Sequence, residues 1–390
     1  RHHIGLWSGK LYFGIRGFNR FGFQMNPALP KMELNDARKS RADLRIKTTY
    51  EKLSQLNLDG IILSYPANIS YLVNFAARDS YFLISKNARY YITDSRYIEE
   101  AKPELKGIAR LQKVNGSSFK IIADSCLKLG LKRIGFEERY LPYAEYKKIE
   151  SLLGKKRQFI PTHSLIEELR QIKDPKELLR IKKAIRITVD ALKFIKNLIS
   201  PGKKEIEIGA ELERFIKYHG AGSSAFDIIV ASGPNSSFPH HISSQRRIEK
   251  NESVLIDIGV DYHGYKSDLT RVFFLGKISV LNLKIYDIAR RAQEKALEKI
   301  RPGIKAGEID KAGRGYISQE GFGGYFGHNL GHGVGLEVHE YPRIAKESQT
   351  VLEPGMVFTL EPGIYLPHKF GVRIEDMVLV TKIGCEVLTK

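Results

Sequence analysis

Val254-Leu255-Ile256-Asp257-Ile258-Gly259 is an apolar run that carries one acid, and Tyr265-Lys266-Ser267-Asp268-Leu269-Thr270-Arg271 follows it closely. A bare carboxylate in an apolar strand is costly unless a cation pairs with it. We therefore predict that the two runs form a hairpin on which Asp257 and Asp268 face one point. Taken alone, either aspartate is more simply interpreted as a turn cap, so a metal-site hypothesis needs further ligands.

Histidines are concentrated in the glycine-rich stretch 327–340, which contains His328, His332 and His339. Interleaved glycines let the backbone pack tightly around these side chains. A phosphate-binding loop does not fit, because the stretch lacks the Lys-Ser/Thr pair and the strand-to-helix context. A zinc-binding helix with a His-x-x-x-His spacing does not fit either, because a helix would not tolerate so much glycine.

Two glutamates complete the set of hard ligands: Glu361 follows Leu360, and Glu375 follows Ile374. An unpaired ionised glutamate in such an apolar context would be expensive, and a shared metal pair removes that cost. Two aspartates, one histidine and two glutamates suit two divalent ions of the Mn, Co or Fe type, bridged by carboxylates and a water. Zinc is compatible, although structural zinc would call for more Cys or His ligands.

This arrangement resembles the pita-bread metallopeptidases (M24), a family that includes Xaa-Pro aminopeptidases, Xaa-Pro dipeptidases (prolidases) and methionine aminopeptidases. The resemblance extends from Met32 to the end of the sequence. It implies an α+β fold, in which a small creatinase-like α/β domain precedes a pita-bread catalytic domain with a curved antiparallel sheet. The metal ligands that it implies, for two ions with Mn expected first, are Asp257, Asp268, His332, Glu361 and Glu375.

The resemblance also implies roles for the residues around the metals. His240, after Phe238-Pro239, is expected to contact the substrate, and His328 and Arg373 match positions around the substrate pocket. His339 matches the position that steadies the reacting carbonyl oxygen. Glu361 is the candidate that takes a proton from a hydroxide-forming water between the two ions and passes it to the leaving proline nitrogen.

His241 and His263 have no counterpart in this pattern, so surface or packing roles are expected for them.

We expect the activity to be that of an Xaa-Pro aminopeptidase, with prolidase as the alternative. A prolidase must clamp a free carboxylate, and Arg343 could do so, although an exposed structural arginine is equally plausible. A methionine aminopeptidase is less favoured, because it would not need the preceding α/β domain. A non-enzymatic binding protein is also less favoured, because all five ligand positions are filled. The resemblance further implies proline-containing peptides as substrates, a homodimer and a cytoplasmic location.

Secondary-structure patterns predict two domains, at residues 32–160 and 161–390. Strands alternate with helices in the first domain, including a helix over 37–56 and a strand over 68–75. A long helical stretch over 165–195 is interrupted at Pro175, where Asp174 is expected to cap a new helix. Beyond residue 303, glycines, prolines and short apolar runs predict an antiparallel sheet with irregular loops.

Composition narrows the function classes. The formal net charge of +19 is spread along the chain among acids, and no nucleic-acid-binding signature accompanies it, so we expect no nucleic-acid partner. Two cysteines are too few for a disulfide framework, and no apolar run is long enough for a transmembrane helix. Residues 1–31 are basic, contain no acid and lack regular patterning. We interpret them as an irregular leader upstream of Met32 that is not part of the mature protein.

Overall fold

The computed structural model of the chain describes the backbone of residues 31–390 and the side chains from residue 38 onward. The expected leader, residues 1–31, lies outside the described residues apart from the backbone of its last residue. Within the described part of the chain, no helix combines the length and the apolarity that a membrane span requires.

The N-terminal part is a six-stranded sheet with helices on both faces. Its strands are β1 Gly60–Leu63, β2 Ser80–Ser85, β3 Arg89–Thr93, β4 Arg110–Lys113, β5 Arg133–Glu137 and β6 Gln158–Thr162, in the order β4-β3-β2-β1-β5-β6. Its helices are α1 Lys31–Gln55, α2 Pro66–Val73, α3 Ile98–Glu104, α4 Ser118–Lys128 and α5 Tyr143–Leu153. Strand β1 pairs antiparallel with β2 and parallel with β5, so the sheet is mixed.

Alternation along β1 explains why both faces of this sheet are covered. Ile61 and Leu63 pack into the core beneath α1 and α2, whereas Ile62 packs into the core beneath α4 and α5. Successive side chains of a strand point to opposite faces, so a strand that is apolar at every position must be buried on both sides.

The C-terminal part packs helices against antiparallel sheets. Its helices are α6 Leu165–Arg170, α7 Pro175–Ile195, α8 Glu205–Tyr218, α9 Val280–Leu297 and α10 Ala306–Gln319. Its strands are β7 Ser223–Ser224, β8 Ile229–Ser232, β9 Ser253–Ile258, β10 Val260–Tyr262, β11 Tyr265–Lys266, β12 Leu269–Phe274, β13 Gly331–Gly333, β14 Glu340–Ile344, β15 Val357–Leu360, β16 Gly363–Leu366, β17 Phe370–Arg373, β18 Asp376–Val380 and β19 Cys385–Val387. They form sheets ordered β11-β10-β7, β12-β9-β8, β14-β13-β15-β18-β19 and β16-β17. This mixture of helices and antiparallel sheets agrees with the expected α+β class.

A buried ionic cluster joins the two parts. Arg170 at the end of α6 donates to the side-chain oxygen of Asn68 on α2, at 2.7 Å, and to Glu340 on β14, at 2.5 Å. Lys173 donates to the other oxygen of Glu340 at 2.7 Å, and the side chains of both partners are almost fully buried. The Tyr65 hydroxyl, just before α2, donates to Glu337 at 2.5 Å. A buried charge is tolerated only when it is paired and hydrogen-bonded, as it is here.

The strand predicted over 68–75 is wrong, because residues 66–73 form helix α2. Its residues are rich in β-branched and aromatic types, which favour strands in isolation. The helix is stabilised at its start by a distant partner: Glu137 at the end of β5 accepts hydrogen bonds from the backbone N–H groups of Ser64 and Tyr65, at 2.6 and 2.8 Å.

Helix α10 lies where irregular loops and strands were predicted, so that prediction is wrong for residues 306–319. Its three glycines lower the intrinsic helix propensity. The packing explains one of them: a Cβ on Gly313 would lie 3.2 Å from the backbone oxygen of Ala292 and equally close to Leu330. Glycine therefore lets α10 approach α9 closely.

The predicted cap at Asp174 is confirmed. Its carboxylate accepts hydrogen bonds from the backbone N–H groups of Lys176 and Glu177, at 2.8 and 3.0 Å. The carboxylate of Glu177 in turn accepts a hydrogen bond from the backbone N–H of Asp174. The other carboxylate oxygen of Asp174 accepts from Arg45 of α1 at 2.8 Å. The cap thus also ties α7 to the first helix.

We expect Asp174→Ala to destabilise the protein by about 1–2 kcal/mol, because it removes a helix cap and a partner of a buried arginine. The measurement is the shift of the urea unfolding midpoint. Ser117→Ala is the matched control, since Ser117 caps α4 through one long hydrogen bond of 3.4 Å to the backbone N–H of Lys120. A loss no larger than that of Ser117→Ala would show that the Arg45 contact adds nothing.

Candidate active site

Two aspartates lie on neighbouring strands, as the hairpin prediction required. Asp257 is in β9, and Asp268 immediately precedes β12, which pairs antiparallel with β9 through the register Leu269 to Ile258. The exposed fractions of Asp257 and Asp268 are only 9% and 4%. The hairpin therefore carries two nearly buried carboxylates to one region of the molecule.

The strands of the five-stranded sheet bring the other three ligand candidates to the same region. His332 is in β13, Glu361 directly follows β15, and Glu375 directly precedes β18. Strand β15 pairs with both β13 and β18, so these three positions lie beside one another. The Nε2 atom of His332 is 3.4 Å from Glu361 Oε1 and 3.6 Å from Asp268 Oδ2.

The donor atoms of this group fit a cation. Ligand atoms of Asp268, His332 and Glu375 all lie within 4.8 Å of one another. One carboxylate oxygen each of Asp257, Asp268 and Glu375 is buried and has no hydrogen-bond partner among the described residues. Buried oxygens without partners are costly. Hard divalent ions prefer such carboxylate oxygens together with an imidazole, so the cluster suits them.

Burial and mutual repulsion change the acidity of the cluster. Burial raises the pKa of Asp268 and of Glu375 well above the ordinary range, and neighbouring carboxylates add to the effect. Burial likewise raises the pKa of Glu361 to about 8. Burial and the nearby His339 lower the pKa of His332 to about 3, which keeps its imidazole neutral and able to coordinate a metal.

Arg373 provides a permanent positive charge beside these acids. Its guanidinium donates to Asp257 Oδ2 at 2.6 Å, to Thr270 Oγ1 at 3.0 Å and to the Tyr365 hydroxyl at 2.9 Å. Thr270 in turn donates to Glu375 Oε2 at 2.7 Å. Arg373 is only 4% exposed, so most of its hydrogen-bonding capacity is used inside the protein. Its expected role in substrate binding stays a prediction.

The three outer histidines, His240, His328 and His339, all line one cleft with the five ligand candidates. The imidazole of His328 is 3.0 Å from the Tyr365 hydroxyl, and the ring of His339 lies 4.2 Å from that of His332. The backbone of His328 is held by Arg314 of α10, which donates to its carbonyl oxygen at 2.7 Å. The expected substrate-contact residues and the expected metal ligands are therefore neighbours.

The cleft has a volume of about 950 Å³ and includes residues from both parts of the chain. Arg139, Tyr140 and Glu167 contribute to its wall, as does Arg343 of β14. No local motif marks Tyr365, Arg139 or Tyr140, so these three residues were not predicted to belong to the site. His241 also lines the cleft and bonds Glu205 at 2.8 Å, so it has more than a surface role.

Comparison with known proteins agrees with this architecture. Residues 180–382 match the model of metallopeptidase family M24, and residues 45–172 match the creatinase/prolidase N-terminal domain. The Xaa-Pro dipeptidase of Pyrococcus horikoshii is 38% identical over 348 residues, which are 89% of this chain and 97% of that protein.

Two solved structures are similar throughout. An Xaa-Pro dipeptidase from Bacillus anthracis has a TM-score of 0.86 at 41% identity, covering 90% of this chain and 98% of that one. An X-Pro aminopeptidase from Thermotoga maritima MSB8 has a TM-score of 0.80 at 37% identity, covering 87% and 97%. The family resemblance and the expected fold class are thus confirmed: the chain belongs to metallopeptidase family M24 and carries a creatinase/prolidase N-terminal domain.

Proposed function

We propose that this protein is a metal-dependent exopeptidase that hydrolyses Xaa-Pro bonds, and that it acts as an Xaa-Pro dipeptidase. The three buried carboxylate oxygens without partners, beside the neutral imidazole of His332, carry the metallopeptidase part of the proposal. The relatives named as Xaa-Pro dipeptidases support the proline specificity. The preference for dipeptides rests on Arg343.

The residues that would hold two divalent ions are those expected from the sequence: Asp257, Asp268, His332, Glu361 and Glu375. When bound, such ions lower the pKa of a water molecule and polarise the scissile carbonyl group. Mn suits this oxygen-rich set best, and Co, Fe and Zn are compatible with it. The identity of the metal, the homodimer and the cytoplasmic location stay predictions.

Glu361 is our candidate for the proton carrier. It lies at the cleft, 3.4 Å from the Nε2 atom of His332 and therefore beside the expected metal positions. A carboxylate within reach of both the attacking water and the leaving nitrogen can move a proton between them. We propose that Glu361 takes the proton from the attacking water and delivers it to the proline nitrogen as the bond breaks.

His339 is placed to stabilise the charge that develops on the carbonyl oxygen. Burial and the neighbouring His240 lower its pKa, so its imidazole is neutral at pH 7 and can donate one N–H. His240 and His328 would contact the substrate on either side. An Xaa-Pro bond is a tertiary amide with no N–H to donate, so recognition of proline must depend on the shape of the cleft and on an anchor for the free α-amino group.

Arg343 favours the dipeptidase over the aminopeptidase. It is exposed on β14, it lines the cleft, and it forms no ion pair with any described residue. In a dipeptide the proline carboxylate is free and lies one residue from the scissile bond. A guanidinium can hold a carboxylate through two parallel hydrogen bonds. Arg343 thereby supplies the clamp that a dipeptidase needs.

The Xaa-Pro aminopeptidase expected from the sequence is the second candidate. A cleft of about 950 Å³ has room for more than two residues, which favours longer peptides. A substrate with residues after proline has its carboxylate farther from the scissile bond, so Arg343 would not be needed as a clamp. The length of the preferred substrate separates the two candidates.

The length of the preferred peptide distinguishes the dipeptidase from the aminopeptidase. The Mn-loaded protein is expected to cleave Gly-Pro faster than Arg-Pro-Pro, and a chelator or Asp268→Ala should abolish both activities. Release of the N-terminal residue is measured by chromatography. Preferential cleavage of Arg-Pro-Pro would make the protein an aminopeptidase, and no cleavage of either peptide by fully metallated protein would contradict the Xaa-Pro proposal.

The second prediction isolates the carboxylate clamp. Arg343→Ala is expected to lower kcat/KM for Gly-Pro about 10- to 100-fold, since a hydrogen bond to a charged group is worth about 1.5–3 kcal/mol. The same variant should match the wild type on Gly-Pro amide, which has no carboxylate. Arg301→Ala, an exposed arginine outside the cleft, is the control. An unchanged kcat/KM for Gly-Pro would remove Arg343 from substrate recognition.

The third prediction concerns pH and metal removal. Glu361 has a pKa of about 8 when folded and about 4.3 when unfolded, so the folded metal-free protein holds a proton that the unfolded chain releases. This contribution to stability is complete below the unfolded pKa and is lost as pH rises through about 8. The Tm of chelator-treated protein should therefore fall from about pH 7 to about pH 9, above the range in which the lowered pKa values of His328, His332 and His339 oppose the fall.

Added Mn²⁺ should reverse this trend, because a cation replaces the protons on the carboxylates. The gap in Tm between metal-loaded and metal-free protein is then expected to widen as pH rises. Glu361→Gln, which cannot titrate, is the control and should make the metal-free profile less steep, and the remaining slope belongs to Asp268 and Glu375, whose pKa values are also raised. A metal-free Tm that rises over this pH range would contradict the assigned shift.

A further inference from the structure

The segment that carries His240 into the cleft has almost no regular structure of its own. This segment, residues 232–244, is here called the His240 segment; it starts at the last residue of β8 and otherwise contains only the short 3₁₀ helix Gly233–Ser237. Pro239, His240 and His241 of this segment line the cleft, and His240 itself is exposed. An irregular segment needs contacts from elsewhere to hold an exposed side chain in one place.

Glu205, the first residue of α8, supplies those contacts from beneath the segment. Its side chain is fully buried, and it is not part of the cleft wall. Its two carboxylate oxygens accept hydrogen bonds from both ends of the His240 segment. The donors are Ser232 N at 2.7 Å, Ser232 Oγ at 2.7 Å, Asn235 Nδ2 at 3.0 Å, His241 Nε2 at 2.8 Å, Ser244 N at 3.1 Å and Ser244 Oγ at 2.6 Å.

The middle of the segment is held from the opposite side by β17. The backbone N–H of Gly371 donates to Ser236 Oγ at 2.8 Å, and Arg373 donates to the carbonyl oxygen of Pro239 at 3.2 Å. The backbones of the segment and of β17 lie so close together that a Cβ on Gly371 would be 2.0 Å from the backbone carbonyl oxygen of Ser236. Strand β17 therefore fixes the centre of the segment, and Glu205 fixes its two ends.

A charged acceptor is required at this position. Burial opposes the ionisation of Glu205, but hydrogen bonds from Ser244, Ser232 and His241 outweigh it and lower its pKa to about 2. The backbone N–H groups of Ser232 and Ser244 can only donate. A glutamine would present a second donor to one of these groups, so it could not satisfy both ends of the segment.

From these contacts we infer that Glu205 is a positioning residue, which holds the His240 segment in the conformation that binds the substrate. The inference rests on the proposed function, because it assigns to the segment a contact with the peptide. Glu205 touches neither the substrate cleft nor the five expected metal ligands. Its removal should therefore affect substrate binding and leave metal binding intact.

The test compares Glu205→Gln with the wild type on Gly-Pro and on Arg-Pro-Pro. If the segment is in its binding conformation only a fraction of the time, the apparent affinity falls by that fraction, and saturating substrate restores the competent state. We expect KM to rise about tenfold and kcat to change less than about threefold. The Mn²⁺ affinity, measured by calorimetry, should equal that of the wild type.

Glu177→Gln is the matched control. Glu177 is also a buried carboxylate in the first turn of a helix, and it bonds Tyr265 and the backbone of Asp174 away from the cleft. It should lower stability without raising KM. Ser244→Ala is a milder second variant, which removes one donor to Glu205 and is expected to raise KM about threefold, without adding to the effect of Glu205→Gln in the double variant.

Hydrogen exchange of peptides within residues 232–244 gives a readout that does not depend on activity. Glu205→Gln should speed exchange in this segment and leave β9 and β12 unchanged. If the wild type is active and Glu205→Gln, Ser244→Ala and Glu177→Gln have equal KM values, the inference about Glu205 is wrong while the proposed function stands. Unchanged exchange in the segment would lead to the same conclusion. A wild type that cleaves no Xaa-Pro peptide would overturn the proposed function, while the exchange experiment would still decide whether Glu205 orders the segment.

Discussion

The catalytic half of the molecule depends on the balance between four converging carboxylates and the guanidinium of Arg373. Like charges repel strongly at short range in a poorly solvated site. Arg373 offsets part of that repulsion through its bond to Asp257, and it reaches Glu375 indirectly through Thr270. The remaining negative charge must be neutralised by protons or by cations. The raised acid pKa values and the expected affinity for divalent metals therefore have one physical cause.

The same guanidinium connects the expected metal ligands to the residues that are expected to face the peptide. It contacts Tyr365, which bonds His328, and the backbone of Pro239, which precedes His240. The three outer histidines lie on irregular backbone, and each is held by buried ionic groups on a neighbouring helix or on the residues beside it. These groups are Glu205 for the segment that carries His240, Arg314 paired with Asp310 for the backbone of His328, and Arg170 with Lys173 for Glu340, the residue that follows His339. Contacts from helices and strands thus hold the irregular segments that carry the outer histidines.

Local signals account for what the sequence could predict. The Asp174-Pro175 pair caps α7 because both its donors lie within three residues. Asp257, Glu361 and Glu375 stood out because each follows or interrupts an apolar run, and the family resemblance implied the full set of five ligand candidates. The strand predicted over 68–75 was wrong because the start of α2 is stabilised by Glu137, about seventy residues away. Glu205 escaped notice for the same reason. The donors to its carboxylate lie between 27 and 39 residues farther along the chain than Glu205, and no local sequence pattern predicts them.

The buried cluster around Arg170 has a mechanical consequence. A hinge motion that separated the two parts of the chain would break the hydrogen bond of Arg170 to Asn68 or to Glu340. Charged groups that are paired in the structure would then lose their partners. Breaking one partner from a buried ion pair typically costs about 3–5 kcal/mol. The buried cluster therefore opposes a hinge motion between the two parts, so the width of the cleft that they share is expected to stay nearly constant. Under the proposed function, a cleft of nearly constant width would select peptides through the groups on its wall, Arg343 among them.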